Sequence, residues 1–267
     1  MTVLSRRRFL ALIAAGLGAA ACGTQSNAIV TTVARLTPSS SSPSTTPAAT
    51  TTVTTSTAAP TTTTTTATTT SATPAATRLE VICREAWGAL PVAGDFTTQT
   101  IDQITIHHTA VILDENRMAP ARIRQHQQFH QSRDWPDLAY HFMIDAEGNV
   151  YEGRPVTAVG DTGTDYDPTG HLLICCEGNF DEQDIPDAQY EALVAMVSWG
   201  AAEYGVDPAT VQGHRDVAAT SCPGENLYAR IADGTLAGDV AVASSEGREL
   251  TVICGGDAID RIAQIEA

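Results

Sequence analysis

Gly213-His214-Arg215-Asp216-Val217-Ala218-Ala219-Thr220-Ser221-Cys222-Pro223-Gly224 sets a histidine and a cysteine in a loop bounded by glycine and proline. Imidazole and thiolate both suit zinc. The two side chains lie eight residues apart, too far for one helical turn, so an ion shared between them is held by a folded-back loop. A third ligand must come from another element.

Strand ends commonly present such residues, and Ile101-Asp102-Gln103-Ile104-Thr105-Ile106-His107-His108-Thr109 alternates apolar and polar positions as a half-buried strand does. It ends in two histidines. His107, His214 and Cys222 together supply three ligands and leave one position for the water that a hydrolytic zinc needs. His108 has the wrong strand parity to share that ion and reads as a sheet-face residue. Downstream, Ala119 to Ser132 reads as a helix on the spacing of Ile123, His126, Gln127 and His130, broken at Trp135-Pro136. His126 and His130 have a spacing that can bind metal, but no further ligand accompanies them, so both read as structural. Tyr140 to Ile144 and Asn149 to Glu152 flank the turn Asp145-Ala146-Glu147-Gly148 as a β-hairpin. Leu172 to Cys176 is a further strand, closed by Glu177-Gly178-Asn179. The clearest helix has Pro186 and Asp187 in its first turn and Gly205 past its end, with Tyr190, Leu193, Val194, Val197, Ala201 and Tyr204 on one stripe. A short closing helix is expected over Asn226 to Leu236. Strands and helices interspersed in this way predict an α/β domain at residues 79–238, with a mixed central β-sheet flanked by helices. Residues 239–267 read as a C-terminal extension holding an edge strand at Leu250 to Ile253 and a short helix at Asp257 to Ile265.

The first third of the 267-residue chain is not domain-like. Arg6-Arg7-Arg8-Phe9-Leu10 and the apolar run to Ala21 form an export signal at residues 1–21, too short to span a bilayer. The arginines resemble a twin-arginine signal. Ala19-Ala20-Ala21-Cys22 resembles a lipoprotein cleavage site with Cys22 as the acylated residue, although Ala19 stands where Leu is usual. Residues 22–78 are a disordered linker, with Thr37 to Thr77 almost wholly Thr, Ser, Ala and Pro. The expected location is the outer face of the cell membrane, or the cell wall and extracellular space. With 15 basic residues, all of them arginine, against 31 acidic ones, the net charge of −16 argues against nucleic acid as a partner. Six cysteines in an exported chain meet conditions where disulfides persist. With Cys22 acylated and Cys222 on metal, Cys83 with Cys254 is the pairing that staples the domain's two ends. Cys175 and Cys176 point to opposite strand faces and read as small buried residues.

Ile106-His107-His108-Thr109, Tyr140-His141-Phe142, Gly148-Asn149-Val150-Tyr151-Glu152-Gly153-Arg154, Glu177-Gly178-Asn179-Phe180, Gly213-His214-Arg215-Asp216 and Thr220-Ser221-Cys222-Pro223-Gly224 resemble, in order, the motifs of type 2 N-acetylmuramoyl-L-alanine amidases. The most similar branch is the peptidoglycan recognition proteins, whose domain start Cys83-Arg84-Glu85-Ala86-Trp87-Gly88-Ala89 also resembles. The resemblance covers about Cys83 to Leu236. It implies an α/β/α sandwich, zinc on His107, His214 and Cys222, and cleavage of the amide between N-acetylmuramic acid and the L-alanine of bacterial peptidoglycan. Tyr140 matches the family's catalytic tyrosine, and Thr220 stands where bacteriophage relatives carry lysine and recognition proteins threonine. Trp135 and Arg154 match positions that favour meso-diaminopimelate stems, since an arginine can fork onto the extra carboxylate. Asp134 replaces the glycine paired with that tryptophan and works against that preference. Relatives that recycle wall fragments carry a catalytic glutamate where Cys175 falls, which points away from that branch. Glu177, two residues on, reads as a loop-end structural acid. The rival reading is a non-catalytic peptidoglycan-binding receptor on the same fold; such receptors typically lose the ligand cysteine. A stalked structural wall protein would not need His107, Tyr140, His214 and Cys222 together.

Overall fold

Alternation in β2 (Gln103–His108) puts Ile104, Ile106 and His108 on one side and Thr105 and His107 on the other, with every residue after Gln103 buried. A strand covered on both sides sits inside a sheet. The computed structural model describes residues 77–245 and 247–267; the export signal, Cys22 and the linker up to residue 76 lie outside them. β1 (Thr77–Ile82), β2, β3 (Phe142–Ile144), β4 (Val150–Glu152), β5 (His171–Cys176), β6 (Gln212–Gly213) and β7 (Arg248–Ile253) form one sheet in the order β6-β2-β5-β3-β4-β1-β7. All neighbours are parallel except the β3–β4 hairpin. This is the mixed sheet expected from the sequence. Asp145 closes the hairpin, its Oδ1 accepting from the backbone N–H groups of Glu147 at 3.0 Å and Asn149 at 2.9 Å.

Helices cover both faces. Ile104, Ile106, Phe142, Leu172 and Ile174 pack against α3 (Asp187–Tyr204), behind which lies α5 (Thr235–Ser244). Burial on α3 is wider than the single stripe read from sequence: Gly200 lies against Leu172 and Ile104 of the sheet, and Ser198 meets Ser244 of α5, which covers another side of the helix. Ile82, Met143, Tyr151 and Cys175 face the other way, against Trp87 of α1 (Arg84–Trp87), Ile123 of α2 (Ala119–Gln131) and Ile262 of α6 (Gly256–Glu266). The closing helix expected over Asn226 to Leu236 is two helices. α4 (Glu225–Ala232) stops at Gly234, whose φ of +80° favours glycine, and Asp233 caps the start of α5 by accepting from Thr235 N at 2.9 Å.

Residues 239–267 supply the end of α5, β7 and α6. β7 pairs along its whole length with β1, and the register Ile82↔Ile253 brings the next residues side by side. Cys83 and Cys254 are disulfide-bonded there, their Cα atoms 5.4 Å apart. The bond closes a loop of 171 residues, so replacing both cysteines with alanine is expected to lower the unfolding free energy by about 2–4 kcal/mol. Urea titration reads this; an unchanged midpoint contradicts it.

Candidate metal centre and cleft

Strand pairing assembles the ligands. Ile106 lies opposite Gly213 across the β2–β6 ladder, so the next residues, His107 and His214, emerge together at the carboxyl ends of parallel strands. This is where open α/β sheets present ligand sites. Their ring centroids are 4.6 Å apart. Cys222 returns on the loop that leaves His214, its Sγ 3.7 Å from Nδ1 of His107. Among the described residues, one donor atom from each of His107, His214 and Cys222 lies within 4.8 Å of the other two. A second grouping, Cys83, Glu85 and Cys254, has both sulfurs tied up in the disulfide, leaving one donor.

The loop is held from both sides. Gly213 N donates to Asp216 Oδ2 at 2.8 Å, Arg215 N to Cys222 O at 2.8 Å, and Ser221 Oγ to Asp181 Oδ2 at 2.7 Å. A side chain at Gly213 would run into Pro223 Cδ at 2.7 Å, which explains glycine ahead of the histidine. Thr220 Oγ1 accepts the Cys222 N–H at 3.2 Å, so its hydroxyl hydrogen is left to donate elsewhere. Cys222 Sγ itself accepts the His108 N–H at 3.4 Å.

Burial sets the electrostatics. Desolvation, with His214 beside it, holds the His107 imidazole well below its ordinary range, and burial lowers His214 too, so both keep a free lone pair at neutral pH. Burial pushes the Cys222 thiol up to about 12, so its deprotonation calls for a cation at the centre. Nε2 of His107 is buried without a hydrogen-bond partner.

Around this group, the Tyr140 ring lies 5.1 Å from His107. Burial and the nearby Cys175 and Cys222 thiols raise the phenol well above its usual range. Tyr166 lies 5.0 Å from His214, and Thr164 Oγ1 is 2.9 Å from His214 Nε2. Both belong to the part of the loop after β4 that lies beyond Arg154 and carries no motif, so the sequence reading missed them; the aromatic in Asp165-Tyr166-Asp167 was the available signal. Trp135 is half-buried 5.0 Å from the His130 ring.

Arg154 does not offer its fork to the cleft. It is 1% exposed, with Nε donating to Leu138 O at 2.6 Å and the terminal nitrogens to Val159 O, Asp137 O and Asp161 Oδ2. A ligand carboxylate would have to displace one of these partners. The exposed guanidinium beside Trp135 is Arg133, 4.9 Å above the ring.

His108 faces the α3 side, its Nδ1 accepting from Phe180 N at 3.3 Å, as strand parity required. The helical histidines do not form a metal group: His126 Nε2 lies 3.0 Å from Glu177 Oε1, and His130 Nδ1 accepts from Ala139 N at 3.1 Å. Glu177 is buried at the strand end, with His126 and the Thr109 hydroxyl beside its carboxylate.

The model of the family described as N-acetylmuramoyl-L-alanine amidase matches residues 97–225, which include all three donors. Peptidoglycan recognition protein 1 of Bos taurus is 31% identical over 153 residues, covering 55% of this chain and 80% of that protein. Drosophila PGRP-LB superposes with a TM-score of 0.52 at 27% identity, over 58% of this chain and 94% of that one. Peptidoglycan recognition protein LE, solved with tracheal cytotoxin, a monomeric diaminopimelic acid-type peptidoglycan, gives 0.53 at 26% identity, over 57% and 92%. The order of the motifs, the mixed sheet and these likenesses agree, and the chain belongs to the family of type 2 N-acetylmuramoyl-L-alanine amidases and peptidoglycan recognition proteins.

Proposed function

We propose that the protein is a zinc-dependent N-acetylmuramoyl-L-alanine amidase that hydrolyses the amide between N-acetylmuramic acid and L-alanine in bacterial peptidoglycan. The observation that carries this reading is the convergence of two neutral imidazoles and one thiol within 4.8 Å. Three such donors fit a catalytic zinc, which keeps one position for water or substrate. When bound, zinc supplies a Lewis acid and a source of hydroxide at neutral pH. His107, His214 and Cys222 hold it. Tyr140, whose phenol burial keeps protonated, and Thr220 donate hydrogen bonds to the carbonyl oxygen of the amide as charge builds on it. A receptor on the same fold could bind peptidoglycan without these donors, and would have no use for a buried cysteine aimed at two histidines.

The ligand named for protein LE suggests diaminopimelate-type stems as substrate, with Trp135 as one wall. In this chain the exposed guanidinium beside Trp135 that can meet a stem carboxylate is Arg133, while that of Arg154 is spent on Leu138, Val159, Asp137 and Asp161. The N-terminal 21 residues are proposed to direct export, Cys22 to carry a lipid, and the linker to let the domain reach the wall from the membrane.

Dialysis against a chelator is expected to abolish hydrolysis of a muramyl peptide, and about one equivalent of Zn²⁺ per chain to restore it. Undiminished turnover by metal-free protein sinks the zinc reading.

A further inference from the structure

One aromatic residue at the cleft has no place in the family motifs. Tyr166, in the loop between β4 and β5, is wedged between imidazoles, its ring 5.0 Å from His214 and 5.4 Å from His171. Thr164, two residues earlier, ties the same loop to His214 through the 2.9 Å Oγ1–Nε2 contact. The ring is therefore fixed, yet the Tyr166 hydroxyl is buried and has no hydrogen-bond partner. Buried hydroxyls are nearly always paired, and a donor held in place without a partner is preorganised for a ligand that supplies one. The His214 ring that Tyr166 packs on stands 4.6 Å from that of His107, which sets Tyr166 beside the metal centre.

We propose that Tyr166 is a second phenolic donor of the cleft, hydrogen-bonding the carbonyl oxygen of the muramyl amide in the bound substrate and more strongly in the tetrahedral state. It lends a hydrogen bond and keeps its proton throughout. The proposal deepens the amidase reading and rests on it for the catalytic part.

The test uses the full chain and Tyr166→Phe, which removes the hydroxyl and leaves the ring packing. Muramyl tripeptide is titrated calorimetrically into metal-free protein, and its hydrolysis is followed with zinc restored. The variant is expected to bind about 5- to 10-fold more weakly, to lose about 10²-fold in kcat, and to keep its zinc content and unfolding midpoint. Wild-type affinity together with wild-type kcat overturns the proposal. So does a variant that loses zinc in step with activity, which would confine the residue to supporting the metal ligands. If the wild type hydrolyses nothing, the amidase reading fails by itself, and Tyr166 as a ligand contact stands or falls on the affinity change alone.

Discussion

Cys222→Ser is expected to abolish zinc binding and to cut amide hydrolysis by roughly a thousandfold or more, while leaving the metal-free fold intact. The thiol contributes no core packing that serine cannot match in size, and the loop around it is held by Asp216, Arg215 and Ser221 through contacts that do not involve sulfur. Its replacement removes the only ligand of the three that can carry negative charge onto the ion, and a serine hydroxyl is a poor zinc ligand. Losing a metal's contribution of several kcal/mol to the transition state, at about 1.4 kcal/mol per decade, gives the thousandfold. Zinc content by atomic absorption, the unfolding midpoint in chelator and the turnover rate together check it. A variant that retains stoichiometric zinc and full turnover contradicts the ligand set.

Deleting residues 248–267 is expected to leave a chain with no cooperative unfolding transition. The deletion removes β7, which hydrogen-bonds β1 along its length, and α6, whose Ala258, Ile262 and Ile265 bury Ile82, Trp87 and Tyr151. It also breaks the bond from Cys83 to Cys254. Two isoleucines at about 1.5–3 kcal/mol each and a disulfide at about 2–4 kcal/mol already approach the net stability of an ordinary domain, about 5–15 kcal/mol. Near-ultraviolet circular dichroism during a urea titration decides it. A truncated chain with a wild-type transition would mean that the family's motif region folds without this segment.

What could be read from the residues alone follows from how local each signal is. Alternation in Gln103–His108 gave both the strand and the separation of His107 from His108, since parity needs only neighbours in sequence. The α3 boundaries were equally local, with Pro186 ahead of the helix and Gly205 in the left-handed region behind it. Ligand convergence was legible through motif resemblance, although the parallel β2–β6 register that causes it was not. β7 was read as an edge strand, which it is, but its partner β1 was not legible because it lies far away in sequence. Gly234 could have split α4 from α5 had its helix-stopping role been weighed. Arg154 shows a different limit. A motif position fixes the residue type, but whether a long side chain reaches the cleft or turns beneath it depends on which carbonyls lie in range, here those of Leu138, Val159 and Asp137. Thr164 and Tyr166 reach the site from a loop with no periodicity, so only packing reveals them.

The most direct test of the central claim is digestion of purified sacculi by the zinc-loaded protein, with soluble products identified by mass spectrometry. The account predicts free stem peptides beginning at L-alanine and glycan strands stripped of them, with no release by protein kept in chelator. Sacculi that bind the protein and release no stem peptide would contradict it, and would make the chain a receptor.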